Sequence, residues 1–185
     1  MLNQNRQVFR REEDNLNKRV VSLRWVYSLN AGGRKQRMSV FVVVGNGAGR
    51  VGFGIGKAKD TSSAVRKAIS QARQRMTKFN MKHGRTIHHD INTKYCASSI
   101  KMRSAAPGSG IKCSSSARLF IECLGIKDIV IKSHKSSNPI NLIKALSKGL
   151  SMITSPHEIA KKRGVSYRRV LGLPSSEEVQ IESAE

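Results

Sequence analysis

Two stretches of this chain hold the residue types that binding or catalytic chemistry uses: the glycine cluster from Gly45 to Gly56, and His88 beside His89. Glycine-rich loops cradle phosphates because backbone N–H groups approach an anion closely when no side chain intervenes. Gly47-x-Gly49-x-x-Gly52 has the dinucleotide-binding spacing in form. Its context fails, because a strand pattern follows instead of a helix and no acid stands about 20 residues on to hold a ribose. A P-loop would need glycine at Val51 and Ser or Thr at Ala58, so Gly56-Lys57 is not one. The cluster fits instead a hairpin presenting Arg50 and Lys57 beside exposed backbone N–H groups. His88 and His89, read as strand neighbours, face opposite sides and cannot share an ion. No carboxylate pair or Ser/His/Asp arrangement is visible, so no catalytic residue, cofactor, metal or small-molecule substrate is expected. Cys96, Cys113 and Cys123 are odd in number and lack C-x-x-C spacing. They read as buried free thiols, not as disulfides or zinc ligands.

The charge points to a partner. The 185 residues include 34 Lys+Arg against 12 Asp+Glu, a net charge of +22. From residue 15 to residue 176 only Asp60, Asp90, Glu122, Asp128 and Glu158 oppose 31 basic residues, a net of +26. Self-repulsion of that size opposes compaction unless a polyanion neutralises it. Nucleic acid is the first expectation and an anionic membrane surface the second. No apolar run approaches the ~18 residues of a membrane span, so no membrane-spanning segment is expected, and the nucleic-acid reading leaves no membrane partner. No secretion signal follows Met1; the basic start at Arg6, Arg10 and Arg11 is interrupted by Glu12, Glu13 and Asp14. With aromatics at 5%, a stacking platform for single strands is not expected, and phosphate contact with folded, double-stranded RNA fits better.

The elements that must position these charges follow from periodicity. Residues 18–27 read as a first strand, 38–44 as an apolar second strand and 50–56 as a third. In the third, Val51, Phe53 and Ile55 alternate with Gly52, Gly54 and Gly56, giving a bare face that a packed helix or a phosphodiester could approach. A helix capped by Asp60 or Thr61 follows, with Ala64, Val65, Ala68, Ile69, Ala72 and Met76 on one face. Its other face carries Arg66, Lys67, Arg73, Arg75 and Lys78 without an acid among them, unlike a helix facing only water. His83-Gly84-Arg85 reads as a boundary. Beyond it come strands at 86–92 and 94–103, a loop at 105–110, a helix at 114–124 ending at Gly125 and a strand at 128–133. Asn138-Pro139 starts a helix as cap and N1 proline, with Ile140, Ile143, Leu146 and Leu150 inward and Lys144 and Lys148 outward. Ser155 with Glu158 forms a capping box for a helix ending at Gly164, and 166–171 is a last helical turn. The tail after Pro174 is acidic.

The segment Val42-Val43-Val44-Gly45-Asn46-Gly47-Ala48-Gly49-Arg50-Val51-Gly52-Phe53-Gly54-Ile55-Gly56-Lys57-Ala58 closely resembles the signature of the ribosomal protein S five family, in its bacterial and organellar form. Gly108-Ser109-Gly110-Ile111, Asn138-Pro139-Ile140-Asn141 and Ala160-Lys161-Lys162-Arg163-Gly164 fall in that family's order and spacing. The resemblance runs from about Leu16 to Gly172. It implies an α+β chain: a double-stranded-RNA-binding-like domain over 16–82, then a βαβ-type domain-two-like domain over 83–174. An extension at 1–15 and an acidic tail at 175–185 flank them.

It further implies a structural constituent of the small subunit that binds small-subunit rRNA. Implied protein partners are S four and S eight, with mRNA nearby at its channel into the subunit, and decoding accuracy is influenced through the S four interface. The expected phosphate contacts are Arg24, Arg34, Lys35, Arg37, Arg50, Lys57, Lys59, Arg66, Lys67 and Arg73. The first hairpin loop, with Tyr27, Ser28, Asn30, Gly32 and Gly33, corresponds to one reaching toward the subunit neck and head. Gly108, Gly110, Ser114 and Arg118 fall in the S four-facing region. Ser28 and Ala31 stand where the family usually has lysines, Ser114-Ser115 where it has a glycine pair, and Pro107 where an acid is common. These departures lean the reading toward a mitochondrial over a bacterial ribosome. A free regulatory double-stranded-RNA-binding protein is the runner-up, which would not need the second domain. A small kinase of the same fold group would need magnesium-binding acids that the interior lacks.

Overall fold

A computed structural model describes residues 16–172; the expected extension at 1–15 and tail at 175–185 lie outside the described residues. The first half is an antiparallel meander of β1 (Asn17–Asn30), β2 (Gly33–Gly45), β3 (Arg50–Ala58) and the short β4 (Thr77–Lys78). Helix α1 (Thr61–Gln74) connects β3 to β4 and packs on one sheet face. The second half holds β5 (Ile91–Tyr95), β6 (Ser98–Ser104), β7 (Ile111–Lys112), α2 (Ser115–Leu124) and β8 (Ile129–Lys135). Helices α3 (Pro139–Ser151), α4 (Pro156–Arg163) and α5 (Tyr167–Val170) follow. Its sheet runs β5-β6-β8-β7, antiparallel except for the β7–β8 pair, which α2 bridges as a βαβ unit. The chain is α+β, as expected.

Strand β2 decides the layering. Val40, Val42 and Val44 pack against Ala64, Ala68 and Ala72 of α1. Phe41 and Val43 point the other way, into a core shared with Phe120 and Leu124 of α2, Ile100 and Met102 of β6, and Ile143, Leu146 and Leu150 of α3. Both faces of the Val40–Val44 stretch of β2 are therefore covered, which is why that stretch is an unbroken apolar run. The bare face of β3 belongs to the helix: a Cβ at Gly52, Gly54 or Gly56 would collide with the Ala72, Ala68 or Ala64 carbonyl, respectively. Four helical residues rise about 6.0 Å and two strand residues about 6.6 Å, so the alanine and glycine stripes stay in register. Gln71 Oε1 accepts from Ile55 N at 2.7 Å, satisfying an N–H on the unpaired edge of β3.

Several boundaries differ from expectation. β1 and β2 run on to Asn30 and Gly33, closing through a two-residue turn at Ala31-Gly32. The ladder continues because antiparallel hydrogen bonds need no apolar side chains. The expected strand at 86–92 is a bridge between Lys82 and Thr86, with Ile87 alone in the core; the real hairpin turns at Cys96-Ala97. Cys96 is exposed there with φ 51°, against the expectation of a buried thiol, whereas Cys113 is half-buried and Cys123 buried. Burial pushes the Cys123 thiol up to about 11 and raises Cys113 as well. Asp60 and Ser114 precede their helices without a side-chain cap hydrogen bond. Ser155 does cap α4, accepting from Glu158 N at 3.2 Å, while the Glu158 carboxylate accepts from Asn80 Nδ2.

Asn138 Oδ1 accepts from Ile140 N at 3.2 Å, with Pro139 at N1. Asn138→Ala should cost about 1 kcal/mol of stability, measured by urea denaturation of the full chain. Lys144 on the same helix is not simply outward. Its Nζ lies 5.3 Å from the Tyr95 ring centroid and donates to Tyr95 Oη at 3.4 Å.

Candidate nucleic-acid interface

The glycine turn is not a phosphate cradle. Gly47 N donates to Cys123 O at 3.0 Å and Gly49 N to Leu124 O at 2.9 Å. These are the last carbonyls of α2, which a helix leaves unpaired and which here accept from the turn. Gly125, with φ 98°, lies so close that a Cβ on it would strike the Gly47 carbonyl. The N–H groups expected to face solvent instead join the two halves of the chain. Arg50 and Lys57 are also not neighbours: seven strand residues, about 23 Å, separate them. Arg50 pairs across the ladder with Lys78 and Lys57 with Ser39.

What the fold brings together lies at the other end of β3. Lys35, Arg37, Lys57, Lys59 and Lys67 line one cleft of about 380 Å³, with Asp60 and Ser63 at the start of α1. Arg66 and Arg73 line a second, of about 500 Å³, with Ile69, Ser70, Gln74 and Lys18. α1 contributes to both, so its acid-free outer face is continuous with the two. Ladder pairing places Arg24, Ser39 and Lys57 in one row across the sheet, on the face away from α1, with Arg37 and Lys35 in the rows beyond. Arg34 lies on the opposite face, its guanidinium carbon 5.8 Å from the Tyr27 ring centroid. Lys18 is not among the phosphate contacts expected from sequence; its signal there is a lysine at the edge of an apolar strand.

The expected loop residues Tyr27, Ser28, Asn30, Gly32 and Gly33 form the end of a two-stranded arm, with Tyr27, Ser28 and Asn30 in β1 and Gly33 in β2. Gly108, Gly110, Ser114 and Arg118 gather at the corner entering α2. Asp128 organises that corner: its Oδ1 accepts from Gly108 N at 3.0 Å and Gly110 N at 3.1 Å, and its Oδ2 pairs with Arg85 Nη2 at 3.0 Å. Arg118 Nη2 donates to Ile111 O at 3.0 Å. The Gly110 N–H first, then Arg85, hold the Asp128 carboxyl below its ordinary range. His88, in a bend before β5 and not in a strand, is pushed down by burial first and then by Lys82, His89 and His83, against a small opposing pull from Glu158.

Both shifts have the same sign for stability. A histidine lowered on folding stabilises above its unfolded pKa, about 6.5, and loses this as pH falls; a lowered carboxyl stabilises above about 3.9 and loses this as pH falls further. Thermal midpoints should therefore fall in two acid steps. Asp128→Asn should remove the lower step alone, and a variant with both steps intact would refute that assignment. No group of three or more His, Cys, Asp or Glu among the described residues could hold a metal ion, and no described helix is long and apolar enough to cross a membrane.

Residues 16–80 match the family described as Ribosomal protein S5, N-terminal domain, and residues 93–163 match Ribosomal protein S5, C-terminal domain. The chain belongs to the ribosomal protein S5 family. Among relatives named small ribosomal subunit protein uS5, that of Wolbachia pipientis wMel is 41% identical over 86% of this chain and 94% of its own length. Those of Erythrobacter litoralis and Cereibacter sphaeroides are 39% and 41% identical over 97% and 86% of this chain, and 64% and 85% of their own lengths. As an S5-family member the chain is a ribosomal protein and not an enzyme. These relatives are bacterial, so the lean toward a mitochondrial ribosome gains no support.

Proposed function

We propose that the chain is a structural constituent of the small ribosomal subunit that binds small-subunit rRNA through the two basic clefts and the α1 face between them. The observation that carries this is the charge of that surface. No acid occurs between residues 15 and 59, and Asp60 is the one acid lining either cleft. Phosphate contact of this kind fixes position on a folded RNA and needs few aromatics. In this reading the contacts are Arg24, Arg34, Lys35, Arg37, Arg50, Lys57, Lys59, Arg66, Lys67 and Arg73, and the domains are 16–82 and 83–174. The β1–β2 arm reaches toward the subunit neck and head. The Asp128 corner, with Gly108, Gly110, Ser114 and Arg118, faces S four. The chain also meets S eight, stabilises the subunit body near the channel through which mRNA enters, and influences decoding accuracy through the S four contact.

Cross-linking of tagged full-length protein in purified small subunits tests the arrangement. Lys112 is exposed beside the Asp128 corner and should link to S four, while Lys59 and Lys67 should link to rRNA. Failure of the protein to sediment with small subunits would overturn the whole reading. Links from Lys112 only to other proteins would overturn the S four assignment.

A further inference from the structure

The β1–β2 arm has two unlike faces. The ladder shifts between Val20 and Ser22, inserting Val21. Beyond this bulge Leu23, Trp25, Tyr27 and Leu29 line up on the face shared with Val40 and Met38, the α1 side of the sheet. All four are exposed, at 50%, 51%, 56% and 82%. Apart from the Arg34 guanidinium over the Tyr27 ring, nothing among the described residues covers them; Phe41, Phe79 and Phe120 are packed inside the larger core, with Phe53 half-buried against it. Trp25 and Tyr27 are two strand residues, about 6.6 Å, apart on one flat face. Arg34 extends the surface over the Tyr27 ring, and a guanidinium plane is itself a stacking partner for a base. Arg24, Lys35 and Arg37 lie on the reverse face of the same arm.

We propose that this face is a stacking platform for an unpaired RNA segment, whose bases lie on Trp25 and Tyr27 while Arg34 and the basic reverse face hold its phosphates. The inference rests on the reading of the chain as an rRNA-binding protein, but it asks for a different state of the RNA: splayed single-stranded bases, not the duplex backbone suited to the clefts. Charge selects the occupant. An exposed apolar stripe marks a docking surface. With no acid between residues 15 and 59, its partner must carry both flat apolar faces and negative charge, which unpaired nucleotides do.

The chain has a single tryptophan, Trp25, so its fluorescence reports on this face alone. Full-length protein is titrated with oligoadenylate of about eight nucleotides, within the range of single-strand site sizes, and in parallel with duplex RNA and with polyphosphate. Oligoadenylate should quench the tryptophan saturably and polyphosphate should not. Tyr27→Ser should weaken oligoadenylate binding about tenfold while leaving duplex affinity within twofold. Leu29→Ser, which removes an exposed apolar side chain but no ring, should leave both unchanged. Circular dichroism melts confirm that both variants fold. Quenching by polyphosphate equal to that by oligoadenylate, or equal losses from Leu29→Ser and Tyr27→Ser, would overturn the platform and leave the stripe to a protein partner. Duplex binding without any oligoadenylate response overturns the platform alone. Loss of binding to both RNAs overturns the rRNA-binding reading with it.

Discussion

Gly54→Val is expected to be among the most damaging single substitutions in the chain, costing more than about 3 kcal/mol and leaving little folded protein at 37 °C. The site leaves no room for a side chain. A Cβ there would run into the Ala68 carbonyl, with Ala72 N at 2.7 Å and Gln71 Cβ at 3.1 Å. Two of these three neighbours are helix backbone, which moves only if α1 as a whole lifts from the sheet. Lifting α1 uncovers Val40, Val42 and Val44, and it breaks the 2.7 Å bond from Ile55 N to Gln71 Oε1. Urea denaturation of the full-length variant measures the cost. Gly32→Val is the matched control, because a Cβ at Gly32 meets nothing within 4 Å and its φ is not in the left-handed range. Equal destabilisation by the two would mean that backbone entropy, not helix contact, sets the glycine requirement.

The same stripe shows how the sequence both informs and misleads. Alternating glycines announce that some backbone comes close. They do not say whether it is a helix or a phosphodiester, since both need a bare strand face. The alanine spacing of α1 holds the answer, because a helix with Ala64, Ala68 and Ala72 on one side has a smooth face to offer and must put it somewhere. The caps at Asn138 and Ser155 are legible because capping is local chemistry, complete within three residues. Distant contacts are not legible. Nothing near Gly47 indicates that Cys123 and Leu124 will take its turn's N–H groups. The Cys96-Ala97 turn carries no glycine, asparagine or proline, so the sequence pattern misplaces the hairpin it closes. Asp128 looks like one acid among few, yet it fixes the 108–110 loop through bonds spanning 18 and 20 residues. The aromatic arm is hidden by an average. A low aromatic content argues against stacking only if aromatics are spread at random, and here Trp25 and Tyr27 share one exposed face.

Replacing Lys57, Lys59 and Lys67 together with glutamine should lower the dependence of log affinity for small-subunit rRNA on log salt by about two to three units, from ~0.7–0.9 for each phosphate no longer neutralised. Between 50 and 200 mM salt that is a change in sensitivity of about 20- to 40-fold. All three side chains are exposed, so folding should be unaffected. Arg50→Gln should lower the slope by no more than about one unit, and its effect should add to that of the triple variant, because Arg50 sits about 23 Å from Lys57 and shares no partner with the cleft. Additivity is the informative part. Had the glycine turn been the phosphate site, Arg50 and Lys57 would act as a pair around one anion, and removing either would abolish most of the effect of both. Two independent contacts instead predict that the slope decrements sum. A slope that does not change in the triple variant would exclude the cleft from the rRNA interface, and a strongly non-additive combination would return the binding site to the hairpin between Gly45 and Arg50.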